Sequence, residues 1–261
     1  MQSLERGLAM LLAFDAEHAR LTLREAAEAT GFSRPAARRL LLTLEALGYI
    51  SSDGSTYQLT SRVLTLGYGF LASRSIHEVA ERHLERLSAS IGESSSLSML
   101  DETDVVFVVR VPTHRIMNYR LSVGARLPAY VSAHGRVLLA NISDEALDRY
   151  FRQAELLRFN SRTCTSEVQL RAALAKVRSQ GWAMIDQEFE TNVRAIGAPV
   201  RDAAGLVVAA IGCSCHAGRV SIDQLSEEFL PCLRETAAAI TADLGGSPEG
   251  SPGRHRTPPQ Q

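Results

Sequence analysis

The chain has 261 residues, 45% of them hydrophobic, which is enough for two ordinary domains, each with its own core. A formal net charge of -1 and a pI near 6.7 exclude nucleic-acid binding through overall charge, so any such activity must come from a local basic patch. No apolar run approaches the roughly 20 residues that span a bilayer, the amino terminus lacks the pattern of a secretory signal, and four cysteines are too sparse for a disulfide framework, so a cytoplasmic protein with reduced thiols is expected.

Leu4, Leu8, Leu11 and Leu12 recur at helical spacing and predict an opening amphipathic helix over residues 4–14, with those leucines as its apolar stripe. After a short turn, Thr22 can cap a second helix, LREAAEAT, which Gly31 ends before Phe32 plugs the core. Ser33 can cap a third helix. Its period gathers Ala37, Leu40, Leu41 and Leu44 in one stripe, sends Pro35, Arg38 and Arg39 to the opposite side, and stops at Gly48. Asp53-Gly54 then reads as a hairpin turn between Tyr49-Ile50 and Tyr57-Leu59. Three helices and a hairpin in this order predict a winged helix-turn-helix, with the third helix entering a groove of DNA and the wing tip near Ser55 and Thr56 lying against backbone or minor groove.

Val63, Leu64, Leu66, Phe70 and Leu71 predict a linker helix over residues 61–75, with a domain boundary near 75. A helix over 76–91 shows Ile76, Val79, Ala80, Leu84 and Leu87 on one face and ends at Gly92. The runs SSSLSML, VVFVVRV and YRLSV read as strands of an antiparallel meander, separated by DETD and by Pro112-Thr113. Ser132 begins a short helix, another starts near Asp144, and a third runs from Ser166 to Gln180 with Gln169 in capping-box position and Gly181 at its end. WAMIDQEF, AIGAPV and LVVAAIGCSCHA read as strands, the last two joined by the turn RDAAG, and a closing helix spans about 223–243. The tail beyond Gly245 is rich in Pro, Gly and Ser and is expected to be disordered. The sum is an α+β chain: a winged helix-turn-helix at 1–60, a linker helix at 61–75, a second domain at 76–244 and a tail at 245–261.

Arg34, Arg38 and Arg39 can make forked hydrogen bonds to guanine or clamp phosphates, and the competing reading is a solvated helix face. Ser33 and Pro35 start that helix, and Thr22 and Thr56 are further phosphate candidates. Lys176 is the only lysine, a bias that suits forked contacts and equally reflects a GC-rich genome. At Ala133-His134-Gly135 the free amides of a helix start can hold an anion, with Gly135 either leaving room for it or permitting tight helix-strand packing. His134 can meet a carboxylate or phenol hydroxyl, or be a core histidine bonded to a backbone carbonyl. Asp186 and Glu188 suit ligand hydroxyls better than a carboxylate, or they order a loop.

Cys213, Cys215 and His216 with His134 could supply zinc ligands, but residues 213 and 215 share one strand face while 216 points away, and no Cys-x-x-Cys accompanies them. Sensing of metal or thiol oxidation through Cys213 and Cys215 is kept as the alternative reading of these residues. No Gly-x-Ser-x-Gly elbow, phosphate loop or His-Glu-x-x-His occurs, so neither an enzyme nor a bound cofactor or metal is expected.

From about Gln2 to Ala242 the chain resembles the IclR family of bacterial transcription regulators. The resemblance is carried by SLERGLAMLLAF, TLREAAEATGFSRPAARRLLLTLEALGYI, YQLTSRVLTLGYGFL, RLPAYVSAHGRVLLA, the DQE near 186 and GAPVRDAAGLVVAAIGCS. LTSRVLTLGYGFLAS, ESSSLSMLD and RVPTHRIMN are most similar to the branch controlling protocatechuate, 4-hydroxybenzoate and beta-ketoadipate catabolism. The resemblance implies a GAF-like effector domain behind the winged helix and a homodimer or tetramer on double-stranded, roughly palindromic operator DNA. It also implies control by a small organic acid, aromatic or dicarboxylic, and contact with RNA polymerase if the regulator activates. The matching effector positions are the turn at Ala133, His134 and Gly135, the Asp186–Glu188 segment, Ala195 and Ile196, and Cys213 and Ser214.

Overall fold

The computed structural model describes residues 2–15, 18–66, 76–113 and 122–247, and the chain divides into two compact units, residues 1–74 and 75–261. Most of the expected linker helix (67–75), most of the run YRLSV and all of the tail beyond 247 lie outside the described residues.

The first unit comprises α1 (Gln2–Leu12), β1 (Arg20–Thr22), α2 (Leu23–Thr30), α3 (Arg34–Ala46), β2 (Ile50–Ser52) and β3 (Thr56–Leu59). Thr22 opens α2 with a full capping box: its hydroxyl accepts from the Glu25 amide while the Glu25 carboxylate accepts from the Thr22 amide. At the end of α3, Gly48 sits at φ +78°, and its N–H bonds the Glu45 carbonyl while the Tyr49 N–H bonds that of Leu44. This pair of bonds requires the left-handed residue that glycine adopts without strain. Ser33 stands at the N-cap of α3 without a side-chain cap bond, so that helix starts on backbone geometry and Pro35.

Met10, Phe14, Leu21, Ala26, Ala27, Ala37, Leu41, Leu44 and Ile50 form the core of this unit. The expected stripe on α1 needs correction. Leu4, Leu8 and Leu12 are 72, 49 and 81% exposed, while Met10 is fully buried and Leu11 partly so. The apolar surface of α1 is wider than the area α2 and α3 cover, and the covered side is centred on Met10. The wing is also larger than expected. β1 adds to the hairpin to give a three-stranded sheet in the order β1-β3-β2, an addition three residues long and too short to show alternation.

The second unit comprises α4 (Ile76–Ile91), β4 (Ser94–Asp101), β5 (Asp104–Val111), β6 (Arg126–Pro128), α5 (Ala133–Ala140), α6 (Asp144–Gln153), α7 (Glu167–Gln180), β7 (Ala183–Asp186), β8 (Val193–Arg201), β9 (Val207–His216) and α8 (Leu230–Asp243). Its six strands run in the order β6-β5-β4-β9-β8-β7, all antiparallel, so two three-strand meanders join through β4 and β9. The third strand of the first meander is Arg126–Pro128; Ser122 and Val123 of the run expected there stand outside any strand.

One sheet face packs on α4 and α8 through Leu84, Leu97, Ile211, Leu233 and Ile240; the other packs on α5, α6 and α7 through Phe107, Val137, Leu147 and Leu170. Ser166 caps α7 through the Gln169 amide, but only one half of the expected capping box is present. The closing helical segment widens into a π turn over Leu225–Phe229 just before Pro231, which has no N–H to give to the carbonyl four residues back.

One irregularity positions the site. Leu97 pairs with Val109 but Ser98 pairs with Phe107, so β5 carries one extra residue, Val108. Such a bulge reverses the alternation of the bulged strand. Phe107 therefore joins the core on the α5 side, Val109 the core on the α4 side, and Arg110 faces the α5 side again.

Candidate functional site

On α3 the arginines Arg34, Arg38 and Arg39 are exposed together with Pro35, and the same surface continues through Leu42, Thr43, Ala46 and Leu47. None of the three guanidinium groups has an ion pair or hydrogen bond among the described residues, whereas Arg24 on α2 is held by Glu28 at 2.9 Å. Free guanidinium groups beside Leu42 and Leu47 offer a groove both forked donors and apolar contact for a thymine methyl. Leu42 and Leu47 were missing from the sequence reading, although their spacing from Arg38 and Arg39 puts them on one helix face.

The two threonines are differently placed. Thr22 gives its hydroxyl hydrogen to Glu25 at 2.9 Å, and Thr56 gives its own to Asp53 at 2.9 Å. Asp53 also accepts from the amides and hydroxyl of Ser55 and Thr56, which holds its carboxyl far below the usual carboxylate range. The wing tip thus carries a carboxylate beside Arg20 at 3.6 Å.

In the second unit a cavity lies between the sheet and the start of α5. Phe107, Leu127, Val131, Ile185 and Phe189 make its apolar wall; Ser96, Arg110, His134, Glu190 and Ser214 are its polar groups. Of the positions expected from the sequence, Ala133, His134, Ala195 and Ser214 line this cavity and Gly135, Asp186, Glu188, Ile196 and Cys213 do not. Gly135 is a packing glycine: a Cβ there would meet the Ala129 carbonyl oxygen at 2.1 Å. Ile196 and Cys213 alternate with Ala195 and Ser214 along their strands and so enter the core on the opposite sheet face. Asp186 is held by Arg194 and Arg162, and Glu188 by Arg136. Arg110, Phe107 and Glu190 escaped the sequence reading. The available signal was an arginine inside the apolar run VVFVVRV, where a charge is out of place unless it has a task.

His134 is buried, its Nε2 3.1 Å from the Ser96 hydroxyl and its ring edge-on to Phe107. Burial, with the Arg110 charge nearby, pushes its pKa down to about 4, so the imidazole is neutral at pH 7. Because the unfolded histidine titrates near 6.5, the native state gains from this site above that pH and loses the gain as pH falls from about 6.5 to about 4. Denaturation of the parent and His134→Gln between pH 4 and 7 should show a shallower pH slope in the variant, with a difference on the order of 3 kcal/mol across the window.

Cys213 and Cys215 lie in the core on the face away from the cavity, and burial raises both thiols, Cys215 to about 12. Protonated, buried thiols are poor nucleophiles and poor metal ligands. Among the described residues no three His, Cys, Asp or Glu side chains are grouped to hold a metal. The metal or thiol alternative therefore gains no support.

A free basic helix face in one unit and an enclosed pocket in the other define a winged-helix transcriptional regulator with a ligand-binding domain. The IclR helix-turn-helix domain matches residues 3–54 and the bacterial transcriptional regulator IclR C-terminal domain matches residues 68–242. The chain belongs to the IclR family of transcriptional regulators. It is 40% identical over 247 residues to the Pca regulon regulatory protein of Pseudomonas putida, covering 94% of this chain and 85% of that one. A putative transcriptional regulator from a Rhodococcus species superposes with a TM-score of 0.83 at 47% identity, covering 94% of this chain and 98% of that one. A double mutant of the PobR inducer-binding domain from Acinetobacter, solved with 3-hydroxybenzoic acid, superposes with a TM-score of 0.60 at 33% identity over 63% of this chain and 96% of that one.

Proposed function

We propose that this regulator binds a small organic acid in the cavity beside α5 and that occupancy changes its binding to an operator or its activation of transcription. The observation that carries this is the Arg110 guanidinium. Half-buried and without a carboxylate partner among the described residues, it lines a largely apolar cavity, where a cation that no carboxylate neutralises favours an anionic guest. The relatives point to aromatic-acid catabolism as the pathway. In this reading residues 1–60 bind DNA, 61–75 link the two units and 76–244 form the effector domain. The protein works in the cytoplasm; among the described residues no helix is long and apolar enough to cross a membrane.

The regulator acts as a homodimer or a tetramer on a roughly palindromic operator. Exposed Leu4, Leu8 and Leu12, four residues apart on α1, offer an apolar stripe that a second copy covers. Where the protein activates, it also meets RNA polymerase.

A melting scan of the full chain against hydroxybenzoates, benzoate and aliphatic dicarboxylates tests the reading. A true effector at ~100 times its dissociation constant should add about 2.7 kcal/mol of stability. If no acid raises the melting temperature, the acid-effector reading falls.

A further inference from the structure

The cavity carries two opposite, separate charges. Arg110 lines it after the bulge at Val108 turns the guanidinium inward, and it makes no hydrogen bond or ion pair among the described residues. Other arginines of the same unit are tied to carboxylates: Arg126 to Asp104, Arg136 to Glu188, Arg194 to Asp186 and Arg219 to Glu93. Glu190 lines the same cavity, and its Oε2 is buried without a hydrogen-bond partner. Arg110 and Glu190 are not within ion-pair distance of each other, so the cation and the anion each await a different group. A buried acceptor left without a donor is destabilising, and more so when charged.

We propose that the cavity is built for a ring that carries a carboxylate and a hydroxyl, the carboxylate seated on the Arg110 guanidinium and the hydroxyl donating to Glu190 Oε2. The ring lies between Phe107, Leu127 and Phe189, which supply apolar and edge contacts for it. Neutral His134, tied to Ser96, adds a hydrogen-bonding wall without adding charge. The pairing decides among acids. A dicarboxylate brings a second anion against Glu190, and an acid without a donor leaves Oε2 desolvated and unpaired, so both are rejected. Arg110 and Glu190 are thus the specificity-determining residues, an assignment that rests on the acid-effector reading above.

Titration calorimetry on the full chain separates the two. The parent should bind the better of 3- and 4-hydroxybenzoate at least about tenfold more tightly than benzoate and at least about a hundredfold more tightly than terephthalate. Glu190→Gln, which keeps the shape and removes the charge, should bring terephthalate to within about tenfold of the hydroxybenzoate. Arg110→Met should abolish the preference for hydroxybenzoate over the neutral 4-hydroxybenzamide. Melting of each variant without ligand checks that it folds, and the parent panel needs no variant. A parent that binds hydroxybenzoate, benzoate and terephthalate equally overturns this assignment alone. A parent that binds none of them overturns this assignment, and the acid-effector reading falls with it only when the aliphatic dicarboxylates of the melting scan also fail to stabilise the chain; an unchanged terephthalate gap in folded Glu190→Gln removes Glu190 from the assignment.

Discussion

Replacing Arg38 and Arg39 together by alanine is expected to weaken operator binding by about 2 to 6 kcal/mol per half-site, because each forked contact to a base is worth about 1 to 3 kcal/mol. Both side chains are exposed and unpaired among the described residues, so their loss removes no contact seen there and the melting temperature should hold. Anisotropy titrations at several salt concentrations divide the effect. A phosphate contact lowers the slope of log K against log salt by about 0.9 for each charge removed, while a pure base contact leaves the slope and flattens discrimination between operator and unrelated DNA. Arg24→Ala is the control, since that guanidinium is engaged with Glu28. Acid affinity should not change in any of these variants, and undiminished operator binding by the double variant would remove α3 from the interface.

The DNA-binding half was readable because its signals are local. A capping threonine at 22, glycines at 31 and 48, and an Asp-Gly turn at 53 each fix a chain direction within a few residues, and together they leave one topology. What escaped were features set by contacts far apart in sequence. β1 exists because three residues pair with β3, and the buried side of α1 was chosen by the helices that cover it rather than by its own period.

In the second half the elements were readable and the pocket was not. Alternation along β8 and β9 assigns Ala195 and Ser214 to one face and Ile196 and Cys213 to the other, yet no local rule says which face holds the cavity. Arg110 was hidden by the bulge. In a regular strand it would sit on the face opposite Phe107, and only the two-for-one pairing around Leu97 and Ser98 brings both to the cavity side. Gly135 shows the converse. Its neighbours pointed equally to an anion site and to close packing, and the Ala129 carbonyl fills the space.

Glu188→Ala should cost about 3 to 5 kcal/mol of stability in the second unit, the usual consequence of stripping a buried charge of its partner. Arg136, on α5, and Glu188, in the loop after β7, have side chains only 9 and 14% exposed. Arg136 Nε donates to the Tyr130 carbonyl at 2.9 Å, and the Cys164 amide donates to the Glu188 carboxylate at 3.3 Å. The pair therefore ties the helix that floors the cavity to the loop that carries Phe189 and Glu190. Alanine at 188 leaves the guanidinium desolvated with one carbonyl for company, while the double replacement Arg136→Met with Glu188→Leu should recover much of the loss because no charge stays buried. Trp182, the single tryptophan, reports unfolding of this unit by fluorescence in urea. Since Glu188 does not itself line the cavity, an acid bound at saturating concentration should still stabilise Glu188→Ala, even with the loop that carries Phe189 and Glu190 less firmly tied. A variant that is as stable as the parent yet has lost acid binding would instead make Glu188 a direct ligand contact.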